Sequence, residues 1–226
     1  MSRITFLAPI YNKESWVGDT IRSLQAQTMK DFEVLFIDDG STDDTVAVIE
    51  SFAEDDKRIK VHQIPTNKGL GNAWNVGTKL VTTPLIAVAS GDDIWTPDRA
   101  KVTCDYFHNN KVDVFYSSFW FCDSMMNKVE HKPAIAYDKK LLLTPRADGF
   151  CPQYIGHFVM AYTTKIALKV PYRSNLKVGI DYPFLVDLAN AGAKFGWTTK
   201  DLGYARVLKS GVSISRRNEV EKASKV

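Results

Sequence analysis

Cysteine is scarce in this 226-residue chain. Cys104, Cys122 and Cys151 are its three, odd in number and far apart, with no Cys-x-x-C pair. That argues against a disulfide scaffold and suits a reducing compartment. Long apolar runs are missing as well. The longest, such as Val34–Ile37 and Leu85–Ala89, fall far short of the roughly 20 residues a membrane-crossing helix needs. Met1–Ile10 is apolar but runs into Tyr11-Asn12-Lys13-Glu14 without a small-residue cleavage site, so it reads as a strand and not as a signal peptide. There is no surplus of one charge sign: 29 basic and 26 acidic side chains leave +3, too little for a general nucleic-acid binder. Four histidines (His62, His108, His131, His157) lack metal-ligand spacing and read as surface or core residues. No Gly/Ser/Pro linker, repeat or low-complexity stretch divides the chain. What is there, 45% hydrophobic and 24% charged residues, is ordinary for a soluble globular protein, and the expected setting is cytoplasmic.

Near-continuous apolar runs at Ile4–Ile10, Phe32–Ile37, Leu85–Ala89 and Val112–Tyr116 predict strands buried on both faces, the habit of parallel sheets. Ile59–Ile64 alternates and is expected nearer an edge. Helical spacing lies between them: Trp16, Val17, Ile21 and Leu24; then Val46, Ile49, Phe52 and Ala53 after the capping types Ser41, Thr42 and Asp43; then Ala73, Val76, Gly77 and Leu80; then Asp98–His108 behind Pro97. Strands alternating with helices over the first 120 residues predict an α/β, doubly wound, mostly parallel sheet with helices on both faces. The second half is less regular. Asn127–Arg146 reads as loops, Val159–Tyr162 as a strand, Thr163–Lys169 and Asp181–Ala191 as helices, and Lys194–Thr198 and Gly203–Leu208 as two late strands.

Two acidic pairs follow predicted strands: Asp38-Asp39 after FEVLFI, and Asp92-Asp93 after LIAVA. Ligands of open α/β sheets bind outside such carboxyl ends. Adjacent carboxylates disfavour joint ionisation unless something positive stands nearby. A divalent metal with a diphosphate ligand supplies that charge, because Mg²⁺ and Mn²⁺ sites combine a few carboxylates with substrate phosphate oxygens. Other motifs fail on detail. A phosphatase Asp-x-Asp is excluded by Ile37, a Rossmann fingerprint by Trp74 at its last glycine position, and neither a Walker A lysine nor a Gly-x-Ser-x-Gly elbow is present.

The ordered set of motifs resembles inverting glycosyltransferases of family 2, of the GT-A type. Pro9-Ile10-Tyr11-Asn12 is similar to that family's opening motif, and Ser23-Leu24 with Gln27-Thr28 to its first-helix motif. Ile37 to Asp43 resembles its nucleotide-binding signature, Asn67 to Gly77 its glycine-rich helix start, and Asp92-Asp93-Ile94-Trp95-x-Pro97 its metal-binding segment. The resemblance is dense over residues 4–100 and looser at Gly179-Ile180-Asp181 and Tyr204-Ala205-Arg206. Three positions depart from the family pattern: Ser90 stands for a leading Asp, Ile180 for a Glu, and Leu208-Lys209 where a histidine is common.

The resemblance implies a nucleotide diphosphate sugar donor, most often with uracil as base, and Mn²⁺ or Mg²⁺ as cofactor. It implies that Pro9, Tyr11, Asn12, Asn67, Gly69 and Asn72 line the donor pocket, Tyr11 packing on the base. Asp39 would accept from the base, Asp92 would face the ribose or sugar, Asp93 would ligate the metal, and Asp181 would be the catalytic base. Arg206 or Lys209 would meet the diphosphate. The expected organisation is one GT-A domain over residues 1–226, with a donor half at 1–110, an acceptor half at 111–210 and a basic tail at 211–226. Residues 206–226 carry +4 and leave −1 on the rest, so that tail suits an anionic membrane surface or acceptor. The acceptor hydroxyl is left open among glycan, lipid-linked glycan, protein and modified nucleic acid. A nucleotidyltransferase and a non-catalytic nucleotide-sugar or glycan-binding module are the competing readings.

Overall fold

The computed structural model describes residues 3–144, 153–176 and 179–207. In chain order the elements are β1 (Ile4–Ile10), α1 (Val17–Gln25), β2 (Phe32–Asp38), α2 (Thr45–Asp55), β3 (Ile59–Gln63), α3 (Leu70–Leu80), β4 (Leu85–Val88), β5 (Ile94–Trp95), α4 (Arg99–Asn109), β6 (Val114–Cys122), β7 (Lys128–Lys132), α5 (Lys139–Leu143), β8 (Ala161–Thr163), α6 (Thr164–Lys169), α7 (Asp181–Asn190) and β9 (Phe195–Arg206). The strands form one sheet in the order β3-β2-β1-β4-β8-β6-β9-β5, with β7 on the free part of β6. β1 to β4 run parallel, as do β6 and β9. β8, β5 and β7 pair antiparallel to their neighbours. The expected α/β, mostly parallel architecture is thus what the chain adopts.

Every residue of β1 is buried, because helices cover both faces of the sheet. Pleating sends alternate side chains to opposite sides. Ile4, Phe6, Ala8 and Ile10 pack with α1, α2 and α4 through Val17, Ile21, Leu24, Ile49, Ala100 and Cys104. Leu7 packs on the other side with α3, α5, α6 and α7 through Trp74, Leu142, Ile166 and Phe184. Each such fully buried aliphatic or aromatic side chain contributes roughly 1.5–3 kcal/mol, so this two-layer burial, and not helix propensity, holds the short helices in place.

Pro9 in a central strand costs no ladder bond. Leu7 O accepts from Ala89 N on the β4 side, and alternation puts the Pro9 nitrogen on that same side, beyond Val88, where the β4 pairing ends.

The structure departs from the sequence reading in several places, most of them in the second half. The two late strands are one, β9, because a bulge between Ser117/Ser118 and Ser118/Trp120 of the pairing keeps it on β6 through the polar stretch Thr199–Asp201. Residues 127–146, read as loops, carry β7 and α5, the latter capped by Asp138 and buried at Leu142. The strand expected at 159–162 begins as a 3₁₀ turn, His157–Val159, and is regular only over Ala161–Thr163. The two-residue β5 was not foreseen, since Ile94-Trp95 is too short for a period. It exists because its backbone pairs with Tyr204 and Gly203.

Candidate active site

β2 and β3 lie to one side of β1, whereas β4 lies to the other. The strand order therefore reverses between β1 and β4, and their carboxyl ends border the crevice that such a switch leaves open. Three loops meet there: Tyr11–Glu14 after β1, Asp39–Asp44 after β2 and Ala89–Asp93 after β4.

The first two loops are sewn together. Asn12 adopts φ 51°, a conformation that asparagine tolerates better than most residues. Its N–H donates to Ser41 Oγ at 2.9 Å, and its Oδ1 accepts from Thr42 N at 2.9 Å. Asp38 accepts from Ser41 N. Gly40 sits at φ 77°, where a Cβ would come within 2.9 Å of Asn67 N, so the β2 loop closes on the loop before α3 only with glycine there. Asp39 then joins the two. Its carboxylate accepts from Lys68 N at 3.0 Å and from Gly69 N at 2.8 Å. Asn67 Oδ1 accepts from the same Gly69 N–H at 3.1 Å, and Asn72 N closes the first turn of α3 on Gly69 O. Tyr11 stands at the crevice mouth with 42% exposure.

Across the switch point, Lys13 Nζ lies 2.5 Å from Asp92 Oδ2. The approach needs Gly91, whose Cβ would fall 2.8 Å from Lys13 Cγ. Asp93 is buried. Its Oδ2 accepts from Ser90 Oγ at 2.6 Å and its Oδ1 from Arg206 N at 2.9 Å. Burial, and then the neighbouring Asp92 charge, push the Asp93 carboxyl up to about 7, against the Ser90 and Arg206 donors and the Lys13 charge. The Arg206 side chain is 3% exposed. It donates to Asp92 O (3.0 Å), Ser124 O (2.6 Å) and Asp19 Oδ2 (3.0 Å) and covers the Trp16 ring at 4.4 Å. Its guanidinium is thus engaged by the protein, where the sequence reading aimed it at a diphosphate. Lys209 and the 211–226 tail lie outside the described residues.

Arg206→Ala would strip donors from two carbonyls and unseat the backbone that holds Asp93. It should cost roughly 2–4 kcal/mol of stability, on the scale of breaking a buried charged group's bonds, read as a lower urea midpoint at unchanged slope.

Beneath this loop lies a residue the sequence reading passed over. Arg99 is 1% exposed. One of its guanidinium nitrogens donates to Val88 O, Phe158 O and Met160 O, and the group faces the Phe6 and Trp95 rings. Burial lowers its pKa to about 9, against the Asp93 charge. The available signal was its place: a cation in the first turn of α4 opposes the helix dipole, which hints at a tertiary task.

Asp181 is the first residue of α7, on the α3 side of the sheet, and its side chain is 55% exposed. His157 Nδ1 stands 3.5 Å from Asp181 Oδ1. The next residue, Phe158, offers its carbonyl to Trp95 Nε1 and Arg99. The 157–158 dipeptide therefore links the Asp181 surroundings to the Asp93 loop. Asn75 of α3, within the glycine-rich Asn67 to Gly77 segment, clamps the same region: its amide donates to Tyr172 O and accepts from Tyr172 N, both at 2.8 Å.

Among the described residues no three His, Cys, Asp or Glu side chains gather at one point. The donor set still fits a divalent cation of the kind that uses one or two carboxylates and takes its other ligands from substrate phosphates and water. The unfavourable Asp92–Asp93 pairing, with an ammonium drawn onto it, marks a place where positive charge is wanted.

This architecture, with carboxylates at the ends of β2 and β4 around a switch point, defines a GT-A sheet. Solved structures share the fold. S. aureus TarS in complex with UDP-GlcNAc matches at TM-score 0.77 and 21% identity, over 95% of this chain and 61% of that one. A mannosyltransferase from Pyrobaculum calidifontis in complex with GDP-Man and Mn²⁺ matches at TM-score 0.69 and 14% identity, over 95% and 59%. The family model "Glycosyl transferase family 2" matches residues 5–173, and the chain belongs to that family. An uncharacterized glycosyltransferase of Rickettsia conorii is 33% identical over 206 residues, 91% of this chain and 33% of the relative. One of Haemophilus influenzae is 29% identical over 130 residues, 58% of this chain and 52% of the relative. The chain thus spans about a third to a half of those relatives' length. No described helix is long and apolar enough to cross a membrane.

Proposed function

We propose that this chain is the catalytic unit of an inverting glycosyltransferase that moves a sugar from a nucleoside diphosphate donor, UDP-linked, to an acceptor hydroxyl. The observation that carries the reading is the pair of carboxylate stations: Asp92-Asp93 at the switch point, and Asp181 at the start of α7, reached through His157 and Phe158. The first suits the diphosphate end of a donor and the second the proton of an acceptor.

Asp39, already aligned by Lys68 N and Gly69 N, keeps free lone pairs to accept from the base. Pro9, Tyr11 and Asn12 form the wall beside it. Asp93, with Asp92, would hold Mn²⁺ or Mg²⁺, which when bound stabilises the negative charge of the diphosphate leaving group. Lys13 would give up Asp92 as that cation enters. Asp181 removes the proton from the acceptor hydroxyl as it attacks, which is general base catalysis, and attack opposite the leaving group inverts the anomeric carbon. Arg206 serves by fixing the Asp93 loop.

Thermal unfolding with UDP-GlcNAc or GDP-mannose, each with and without Mn²⁺, tests this. Ligand at a hundred times its Kd stabilises by about 2.7 kcal/mol, so a rise in Tm of roughly 5–10 °C is expected with a metal-loaded donor. No shift with either donor would sink the reading. A shift with no nucleotide release in either case would favour a binding module.

A further inference from the structure

His157 is a buried titratable group with no assigned task. Its side chain is 10% exposed and packs edge-on to Trp74, Tyr172 and Phe184. Both ring nitrogens nevertheless meet polar atoms. Nδ1 faces Asp181 Oδ1 at 3.5 Å. Nε2 lies 2.6 Å from Tyr172 Oη, and Tyr172 Oη lies 3.1 Å from Tyr162 Oη. The row Asp181–His157–Tyr172–Tyr162 runs from the half-exposed Asp181 carboxylate into the α3–α7 core.

We propose that His157 is a positioning residue for Asp181: its Nδ1–H points at the carboxylate, and the Tyr172–Tyr162 hydroxyls behind it lock that tautomer. The inference rests on the base role of Asp181 given above. The direction of every proton follows from the row itself. A neutral imidazole has one donor and one acceptor nitrogen. A bare Nδ1 would set a lone pair against a carboxylate, so the proton sits on Nδ1 and Nε2 must accept. Tyr172 then donates to Nε2, and Tyr162 donates to Tyr172. Burial favours the neutral ring over imidazolium, against the Asp181 charge, and burial likewise keeps both phenols protonated. The charged or titratable groups facing the imidazole are Asp181 from α7 and Tyr172 from the segment after α6, with Tyr162 of β8 behind it. Trp74 of α3 and Phe184 of α7 bring only ring surface. A 3.5 Å approach is the loose contact expected before an acceptor hydroxyl arrives, since catalytic contacts tighten in the loaded complex. A base held at one rotamer is worth having because small misplacements of a reacting group are costly.

Two measurements test the proposal. The first is the ¹⁵N spectrum of the histidine rings in the whole chain near pH 7.5, with His157 assigned from the variants of the other three histidines. The expected result is a protonated Nδ1 and a bare Nε2. A protonated Nε2 overturns the proposal, whatever Asp181 does. The second is nucleotide release from UDP-GlcNAc or GDP-mannose with Mn²⁺, using whichever donor stabilises the protein. His157→Phe should lower kcat about tenfold or more with donor KM unchanged, and His157→Asn, which keeps an N–H donor, should recover part of it. If His157→Phe does not fold, Tyr172→Phe replaces it and should lower kcat in the same way by less, with donor KM again unchanged. Wild-type kcat in the substituted protein, beside an inactive Asp181→Asn, overturns the positioning role alone. Full activity of Asp181→Asn overturns the base reading instead.

Discussion

Asp181→Asn should lower transfer by about 10²–10⁴-fold, the usual contribution of a positioned general base, while donor affinity and fold stay as they are. The substitution keeps shape and removes only the lone pair that takes the proton. The carboxylate makes no capping bond, since the residue before α7 is Ile180 and no side chain caps that helix. Its stabilising tasks are the charge at a helix start, worth roughly 0.3–1 kcal/mol, and the loose 3.5 Å contact with His157 Nδ1, which an amide oxygen keeps. Donor binding by calorimetry, unfolding by denaturant and initial rates separate these terms. A variant that transfers at the wild-type rate removes Asp181 from the reaction.

The second large effect belongs to Asp93. Asp93→Asn should weaken metal-dependent donor binding by two orders of magnitude or more, yet stabilise the metal-free protein at pH 8. Its carboxyl is pushed up to about 7 by burial and by Asp92. A folded-state pKa raised in this way favours the folded state while the group is protonated, and that advantage is lost as pH rises through 7. An uncharged amide escapes the loss. Its oxygen still accepts from Arg206 N and its NH₂ donates to Ser90 Oγ. Near pH 4 the group is neutral in both proteins and the two should melt alike. Equal stability at pH 8 would contradict the burial argument, and unchanged metal-dependent binding would contradict the ligand role.

Apart from β5, the first 110 residues were legible because their central strands are buried on both faces and their turns carry glycine and carboxylates at the strand ends. The acidic pairs could be placed from that pattern alone, since a doubly wound sheet sends every such loop to one edge. β5 and the second half were less legible for a physical reason. β5 and β8 are two and three residues long, and they owe their state to the strands beside them. β9 crosses a polar stretch that no hydrophobic period describes. Arg206 was marked by the resemblance as a ligand for phosphate, but burial decides its use, and burial is not written in a Tyr-x-Arg pattern. The row behind Asp181 joins residues 157, 162, 172 and 181, and only the folded chain brings them into line.

β9 also acts as a ruler. Its first residues pair with β6 at Val114 to Ser117, while its last delivers the Arg206 N–H to Asp93. Between them two register shifts, at Ser117/Ser118 and Ser118/Trp120, put three more residues in β9 than in β6, a fixed offset that sets how far the strand reaches. One residue more or less after Gly203 would move that N–H by about 3.3 Å and turn its side chains to the opposite faces. Length, and not composition, is therefore what this strand must conserve, and the Asp93 loop at one end of the sheet is calibrated by hydrogen bonds laid down at the other.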